Sequence, residues 1–186
     1  VALWIGHIGR FGTAVINISN VGRAVPTFAV LVLLVFPLGL SIWTTIIALV
    51  LFAIPPILTN TYVGMREVDR DAVEAARGVG MGGMQLLRKV EIPLALPLLM
   101  NGIRLAGVQV VATATLAAFV AGPGLGRIIT NGFGRQDYAQ MAAGAILVAG
   151  LALLVEGAME LLQRRVDPLR RAKRRGPSAD AVVTVP

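Results

Sequence analysis

The chain has 186 residues, of which 56% are hydrophobic and only 15% are charged, and its net charge is +7 at pH 7. Soluble domains carry about 25% charged residues, so this composition excludes an ordinary soluble domain and indicates an integral membrane protein. The chain contains no cysteine and a single histidine, His7. This excludes disulfides, cysteine nucleophiles and metal sites built from several histidines. We therefore expect no enzyme activity, no metal and no cofactor.

Several apolar segments are long enough to cross a membrane, which takes about 20 mainly apolar residues as a helix. Residues 1–5 are already apolar, and we interpret them as the end of a spanning helix that begins before Val1. Four complete spans are predicted to follow. They cover residues 11–40, with a bend at Pro26, and residues 41–62, 94–120 and 139–162.

The basic residues predict the orientation, because cytoplasmic loops carry an excess of Lys and Arg. Residues 65–93 contain Arg66, Arg70, Arg77, Arg88 and Lys89. The tail, residues 164–186, contains Arg164, Arg165, Arg170, Arg171, Lys173, Arg174 and Arg175. Two spans separate these segments, so both lie on one side, which we assign to the cytoplasm. This asymmetry explains the net charge without a nucleic-acid partner.

We therefore divide the chain into a transmembrane domain, residues 1–163, and a basic cytoplasmic tail, residues 164–186, which is predicted to be disordered. Residues 121–134 are rich in glycine and are predicted to lie on the external side. They are expected either to help seat an external binding protein or to form an ordinary flexible loop.

The cytoplasmic segment, residues 65–93, is predicted to form two short helices around a glycine turn. Asp69 or Asp71 can cap the first helix, which covers residues 72–77. Four glycines then break the helix: Gly78, Gly80, Gly82 and Gly83. A second helix is predicted at 84–90, and Pro93 is predicted to mark the return to the membrane. The G-x-G-x-x-G pattern at 78–83 follows a helix instead of a strand, which argues against a dinucleotide site.

This segment resembles the "EAA" loop of ABC-importer permeases. That pattern is Glu-Ala-Ala, three residues, Gly, nine residues and Ile-x-Leu-Pro. The corresponding residues here are Glu74, Ala75, Ala76, Gly80, Val90, Ile92 and Pro93. The resemblance implies that the loop docks on a cytoplasmic ATPase subunit and couples ATP hydrolysis to movement of the spans. Glu74 would be the polar anchor, Ala75 and Ala76 would allow close approach, and Gly80 would make the turn.

Three further stretches resemble the osmoprotectant branch of these permeases: AVPTFA at 24–29, ILTNTYVG at 57–64 and ATLAAFVAGPGLG at 114–126. The resemblance implies an all-α polytopic permease with the type I, methionine-permease-like fold and a cytoplasmic coupling-helix loop. Its cargo would be glycine betaine, carnitine, choline or proline. Its partners would be ABC ATPase subunits, an extracellular or periplasmic binding protein, and a second permease copy or paralogue in the cell membrane.

Alternatives remain open from the residues alone. A permease for methionine or another amino acid shares the loop. A channel, a secondary transporter or a structural scaffold would not need the spacing from Glu74 to Pro93. No G-x-x-x-x-G-K-[ST] pattern is present, so ATP hydrolysis is assigned to a separate subunit.

Polar residues within the spans are candidates for the translocation path: Arg23, Gln109, Thr113 and Thr115. Gln109 and Thr113 share one face of a helix, and hydrogen bonding between helices explains them equally well. Arg23 either lines the path or extends its side chain to the membrane interface. Arg104 and Glu156 are predicted to extend towards the cytoplasmic interface.

Overall fold

The computed structural model describes residues 1–8, 12–120 and 122–166, and the elements within these ranges are helices and connections between them. The α-helices are α1 (Ala2–Ile8), α2 (Gly12–Ala24), α3 (Thr27–Leu38), α4 (Ile42–Arg66), α5 (Arg70–Gly78), α6 (Gly83–Leu86), α7 (Ile92–Leu116), α8 (Gly126–Arg135) and α9 (Tyr138–Val166). A π-helical turn, Leu87–Glu91, joins α6 to α7, and a 3-10 turn, Ala117–Val120, follows α7. The all-α prediction is confirmed for the described residues.

Among the described residues, three helices are long and apolar enough to cross a membrane: Ile42–Arg66, Gly83–Val120 and Tyr138–Arg165. The predicted span at 11–40 differs, because it is divided between α2 and α3 at Pro26. With 12 residues, α3 is only about 18 Å long at 1.5 Å per residue. The last helix continues to Val166, so the first residues of the predicted tail are helical, and residues 167–186 lie outside the described part.

Helix α4 begins at a side-chain cap and passes through two prolines. The Ser41 hydroxyl accepts a hydrogen bond from the Thr44 amide at 3.2 Å, and the Thr44 hydroxyl donates to the Gly39 carbonyl at 2.8 Å. Pro55 and Pro56 lie inside the helix and lack the amide donors that would continue its ladder. A long apolar helix tolerates this where neighbouring groups replace the lost bonds.

Helices α4 and α7 pack closely along small residues, as helices in membranes often do. A Cβ on Gly102 would lie 2.7 Å from the Asn60 Cβ and 3.0 Å from the Pro56 carbonyl oxygen. A Cβ on Gly64 would lie 3.0 Å from the Leu98 Cβ. At the same contact the Asn101 side chain donates to the Asn60 side-chain oxygen at 3.2 Å. This pair of helices holds the two ends of the segment at 65–93 together.

The second predicted loop helix is not a separate element. The chain is helical without interruption from Gly83 to Val120, a length of 38 residues, so Gly83 starts a helix and Pro93 does not end one. Proline clashes with the carbonyl four residues earlier and cannot donate to it. The π-helical turn at Leu87–Glu91 lies just before Pro93, where a wider turn accommodates the proline without breaking the helix.

Residues 126–134 do not form a flexible loop, because they belong to α8, which folds back onto α9. Two glycines allow this contact. A Cβ on Gly132 would lie 2.9 Å from the Met141 Cγ, and a Cβ on Gly144 would lie 2.8 Å from the Ile129 Cγ1. The predicted external segment is therefore an ordered helix over its second half.

Candidate functional site

The segment at 65–93 contains a short helix with a well-defined start and end. The Asp69 side chain accepts a hydrogen bond from the Asp71 amide at 2.9 Å and caps α5. At the other end, the Met81 amide donates to the Ala76 carbonyl at 3.2 Å and the Gly80 amide donates to the Arg77 carbonyl at 2.9 Å. Gly80 has a φ of +84°. These features form a Schellman motif with glycine at its left-handed position.

The three residues of the Glu-Ala-Ala triplet lie in different environments. Glu74 and Ala75 are exposed, whereas Ala76 is only 7% exposed and packs inside the chain. Glu74 makes no ion pair with any residue that the structure describes. Glu74 and Ala75 are therefore available to a partner surface, while Ala76 fixes α5 against its own chain.

The second half of the predicted motif packs against the end of α4. Ile92 contacts a cluster formed by Met65, Leu87 and Ala95, of which Ala95 is 1% exposed. Val90 and Pro93 are half-buried on either side of Ile92. These apolar contacts attach residues 90–93 to the long apolar helices. The exposed α5 is therefore connected to a packed part of the structure.

A partly buried contact between His7 and Glu91, which the sequence did not predict, joins the segment at 90–93 to α1. The His7 Nδ1 lies 2.5 Å from the Glu91 Oε2, and the two side chains are 17% and 9% exposed. The residues are 84 positions apart, so the sequence could not pair them. A signal was nevertheless present, because a carboxylate within the otherwise apolar run from Val90 to Pro93 needs a buried partner.

A cavity of about 210 Å³ lies beneath α5. Its lining includes residues of α5 at positions i, i+3, i+4 and i+7, namely Arg70, Val73, Glu74 and Arg77. The ends of α1 and α4 and the His7–Glu91 pair form other parts of its wall. The Glu74 side chain therefore lies at the edge of a basic cavity as well as at the exposed surface of the loop.

The candidate path residues do not form one site. Thr113 is 3% exposed and shares the buried face of α7 with Gly102 and Ala106, the face that packs against α4. Gln109 is half-buried one turn before Thr113. The Thr115 hydroxyl donates to the Val111 carbonyl at 3.2 Å and lies on another face of α7. The Arg23 side chain lies outside the described part of the structure.

The sequence predicted that the Arg104 and Glu156 side chains each extend towards the membrane interface. They contact each other instead. The Arg104 Nε lies 3.1 Å from the Glu156 Oε1, so the two side chains form an ion pair between α7 and α9. Opposite charges inside a membrane protein lower the cost of burial by pairing, and a contact between distant helices is invisible in the sequence.

Comparison with known proteins identifies the class. Residues 1–168 match the family described as "Binding-protein-dependent transport system inner membrane component". The chain therefore belongs to this family, and with its three long apolar helices it is a membrane-embedded permease component of a transport system.

Curated relatives within the family are similar over most of the chain. The carnitine transport permease protein OpuCB of Listeria monocytogenes is 42% identical over 164 residues, covering 87% of this chain and 75% of that protein. The glycine betaine/carnitine/choline transport system permease protein OpuCB of Bacillus subtilis is 36% identical and covers 83% and 71%. The osmoprotectant import permease protein OsmY of Salmonella typhimurium is 37% identical and covers 85% and 67%.

Solved structures confirm the fold. One inward-facing structure of the MetNI methionine ABC transporter superposes with a TM-score of 0.68 at 28% identity, covering 81% of this chain and 73% of that one. A second crystal form gives a TM-score of 0.70 at 22% identity and covers 89% and 91%. The predicted methionine-permease-like fold is therefore confirmed.

Proposed function

We propose that this chain is the permease subunit through which an ABC importer moves a quaternary-ammonium osmoprotectant across the cell membrane. The cargo class is glycine betaine, carnitine or choline, with proline as a related zwitterion. The observation that carries the proposal is the 42% identity to a carnitine permease across 87% of the chain. Other relatives named for betaine and choline transport are 34% to 36% identical, which supports the cargo class as a whole.

The loop around α5 is proposed to face the cytoplasm and to dock on an ATPase subunit. Its basic residues support this orientation. Glu74 and Ala75 are exposed on a helix whose end is fixed by Gly80, and the base of the loop packs on the spanning helices through Ile92. A force on α5 therefore reaches the spans through packed contacts.

The complete importer is proposed to contain two permease subunits, identical or paralogous, because two half-paths are needed to enclose a route. Two ATPase subunits would lie on the cytoplasmic side, and an extracellular or periplasmic protein would deliver the cargo. This chain would contribute no catalytic residue. Transport would follow from alternation between inward-open and outward-open arrangements of its spans.

Replacing Glu74 with lysine tests the docking role. The described residues give Glu74 no ion pair to lose, but Glu74 lines a cavity with Arg70 and Arg77. Assembly and the unfolding midpoint of Glu74→Lys are therefore measured alongside transport and should stay close to wild type. Cargo uptake and cargo-stimulated ATP hydrolysis by the importer in proteoliposomes should fall at least about tenfold, since reversal of a buried interface charge costs more than 1.4 kcal/mol.

The matched control is Glu67→Lys. Glu67 is an exposed residue at the end of α4, so this variant changes the charge of the same cytoplasmic segment by the same amount outside α5. Near-normal uptake and stimulated hydrolysis in Glu74→Lys would contradict the docking role. An equal loss in both variants would assign the effect to net charge instead.

A methionine-type amino-acid permease is the second candidate, favoured by the structural similarity to the methionine transporter. Uptake of radiolabelled betaine, carnitine and choline, each competed with unlabelled methionine, separates the two. A channel or secondary transporter predicts transport without ATPase subunits, which the same proteoliposomes measure when those subunits are left out.

A further inference from the structure

The ion pair between Arg104 and Glu156 lies far from the ends of its helices. Arg104 is twelve residues beyond the start of α7, or about 18 Å at 1.5 Å per residue. Glu156 is ten residues before the end of α9, or about 15 Å by the same rise. Within the predicted spans 94–120 and 139–162, Arg104 and Glu156 lie about 15 and about 9 Å from the ends on the proposed cytoplasmic side. The hydrocarbon core of a membrane is about 30 Å thick, so the pair lies inside the core, in its cytoplasmic half.

Charged groups at this depth are costly where they meet lipid, and they almost always face the interior of a bundle or a water-filled route. The Arg104 and Glu156 side chains are 29% and 38% exposed. The rest of the chain therefore leaves about a third of each side chain uncovered. If the exposed part of each side chain faces the translocation route, it meets a polar environment and avoids the cost of contact with lipid.

The pair also has unused bonding capacity. The Arg104 Nε has almost no solvent contact and makes no hydrogen bond, although it lies 3.1 Å from Glu156. A guanidinium group has five N–H donors, and Glu156 is the one polar partner of Arg104 within the described ranges. One guanidinium and one carboxylate are thus held together with donors and acceptors still free.

A cavity lies between α7, α9 and the connection before α8. This cavity has a volume of about 280 Å³ and is lined by residues that include Val111 and Thr115 of α7 and Val148 and Leu151 of α9. Arg104, Val111 and Thr115 lie at i, i+7 and i+11, on one stripe of the helix. Arg104 and the α7 residues that line this cavity therefore lie on the same side of α7.

We propose that Arg104 and Glu156 form a binding station for a zwitterion on the translocation route. The Arg104 guanidinium would bind the cargo carboxylate, and the Glu156 carboxylate would lie beside its quaternary ammonium group. This assignment rests on the proposed cargo class. A planar guanidinium pairs with a carboxylate through two parallel hydrogen bonds. A quaternary ammonium has no N–H to donate, so it is held by attraction to negative charge or to the faces of aromatic rings.

The test uses the importer assembled with its ATPase and a saturating amount of cargo-loaded binding protein in proteoliposomes. The double variant Arg104→Gln/Glu156→Gln leaves no unpaired charge, so the complex should still assemble and hydrolyse ATP at its basal rate. Glycine betaine transport should fall about tenfold or more, because charged hydrogen bonds to the cargo are lost. Wild-type transport by this variant would overturn the proposal, since a pair that only holds two helices together tolerates neutral amides.

A comparison of cargoes gives a second readout. Choline carries the quaternary ammonium but no carboxylate. Arg104→Gln should therefore reduce glycine betaine transport at least about tenfold more than choline transport, and Arg104→Lys should restore part of the difference. Glu156→Gln should reduce both cargoes by similar factors. An equal loss of both in Arg104→Gln would overturn the assignment of Arg104. If the wild-type importer moves no osmoprotectant, the proposed cargo class fails, and this inference fails with it.

Discussion

Replacing Gly80 with alanine tests whether the turn after α5 fixes the shape of the loop. Gly80 has a φ of +84°, and a residue with a Cβ in the left-handed region costs about 1–2 kcal/mol. A Cβ at this position would meet nothing within 4 Å. The expected cost is therefore backbone strain alone, because no neighbouring atom has to move.

Gly78→Ala is the matched control. Gly78 is the last residue of α5, and a Cβ there also meets nothing within 4 Å. Its φ is not in the left-handed region. Alanine is more favourable than glycine inside a helix by about 0.5–1 kcal/mol. The same chemical change two residues apart should therefore destabilise the loop at Gly80 and stabilise it at Gly78.

Hydrogen exchange of the reconstituted permease measures this difference, because amides exchange when their segment opens. The relevant amides are those of Gly80 and Met81, which donate at 2.9 and 3.2 Å. Gly80→Ala should speed their exchange by about 5- to 30-fold, the factor that corresponds to 1–2 kcal/mol. Gly78→Ala should slow it. Equal changes in both variants, or no change in Gly80→Ala, would refute the argument that the left-handed conformation fixes the turn.

Two further substitutions test contacts that hold the loop and its helices. Glu91→Leu leaves His7 without its partner (2.5 Å in the wild type) and should destabilise the permease by about 1–3 kcal/mol, measured as a lower unfolding midpoint. Glu91→Gln keeps the size of the side chain and a hydrogen-bond acceptor and should lose much less; an equal loss would contradict the view that an acceptor for His7 is what matters. Gly102→Val places a Cβ 2.7 Å from that of Asn60 and should cost about 1–3 kcal/mol by overpacking. Gly107→Ala, whose Cβ would lie 3.7 Å from its nearest neighbour, should be nearly neutral in the same assay, and a similar loss there would contradict the packing argument.

Local features of the sequence predicted local features of the fold. The helix at α5, a cap at Asp69 or Asp71 and the break at the following glycines were expected, because caps and glycine turns depend on residues only a few positions apart. The structure selects Asp69 as the cap. The long apolar helices were also expected from length and composition. The division of the first predicted span at Pro26 was foreseen only as a bend.

Contacts between distant segments could not be predicted. Nothing in the local sequence relates His7 to Glu91, or Arg104 to Glu156, because each pair depends on how two helices align. Pro93 illustrates a different limit. A proline after a short helix predicts a boundary, but a π-helical turn just before it allowed the helix to continue. The π-helical turn, which the sequence pattern did not predict, therefore determined whether the helix ended at Pro93.

The uninterrupted helix from Gly83 to Val120 also fixes a rotational phase. The segment contains the π-helical turn at Leu87–Glu91 and then α7 from Ile92 to Leu116. Each α-helical residue advances the side-chain direction by about 100°. One residue inserted between Ile92 and Arg104 would therefore turn the Arg104 side chain by about 100° relative to the loop end of the helix.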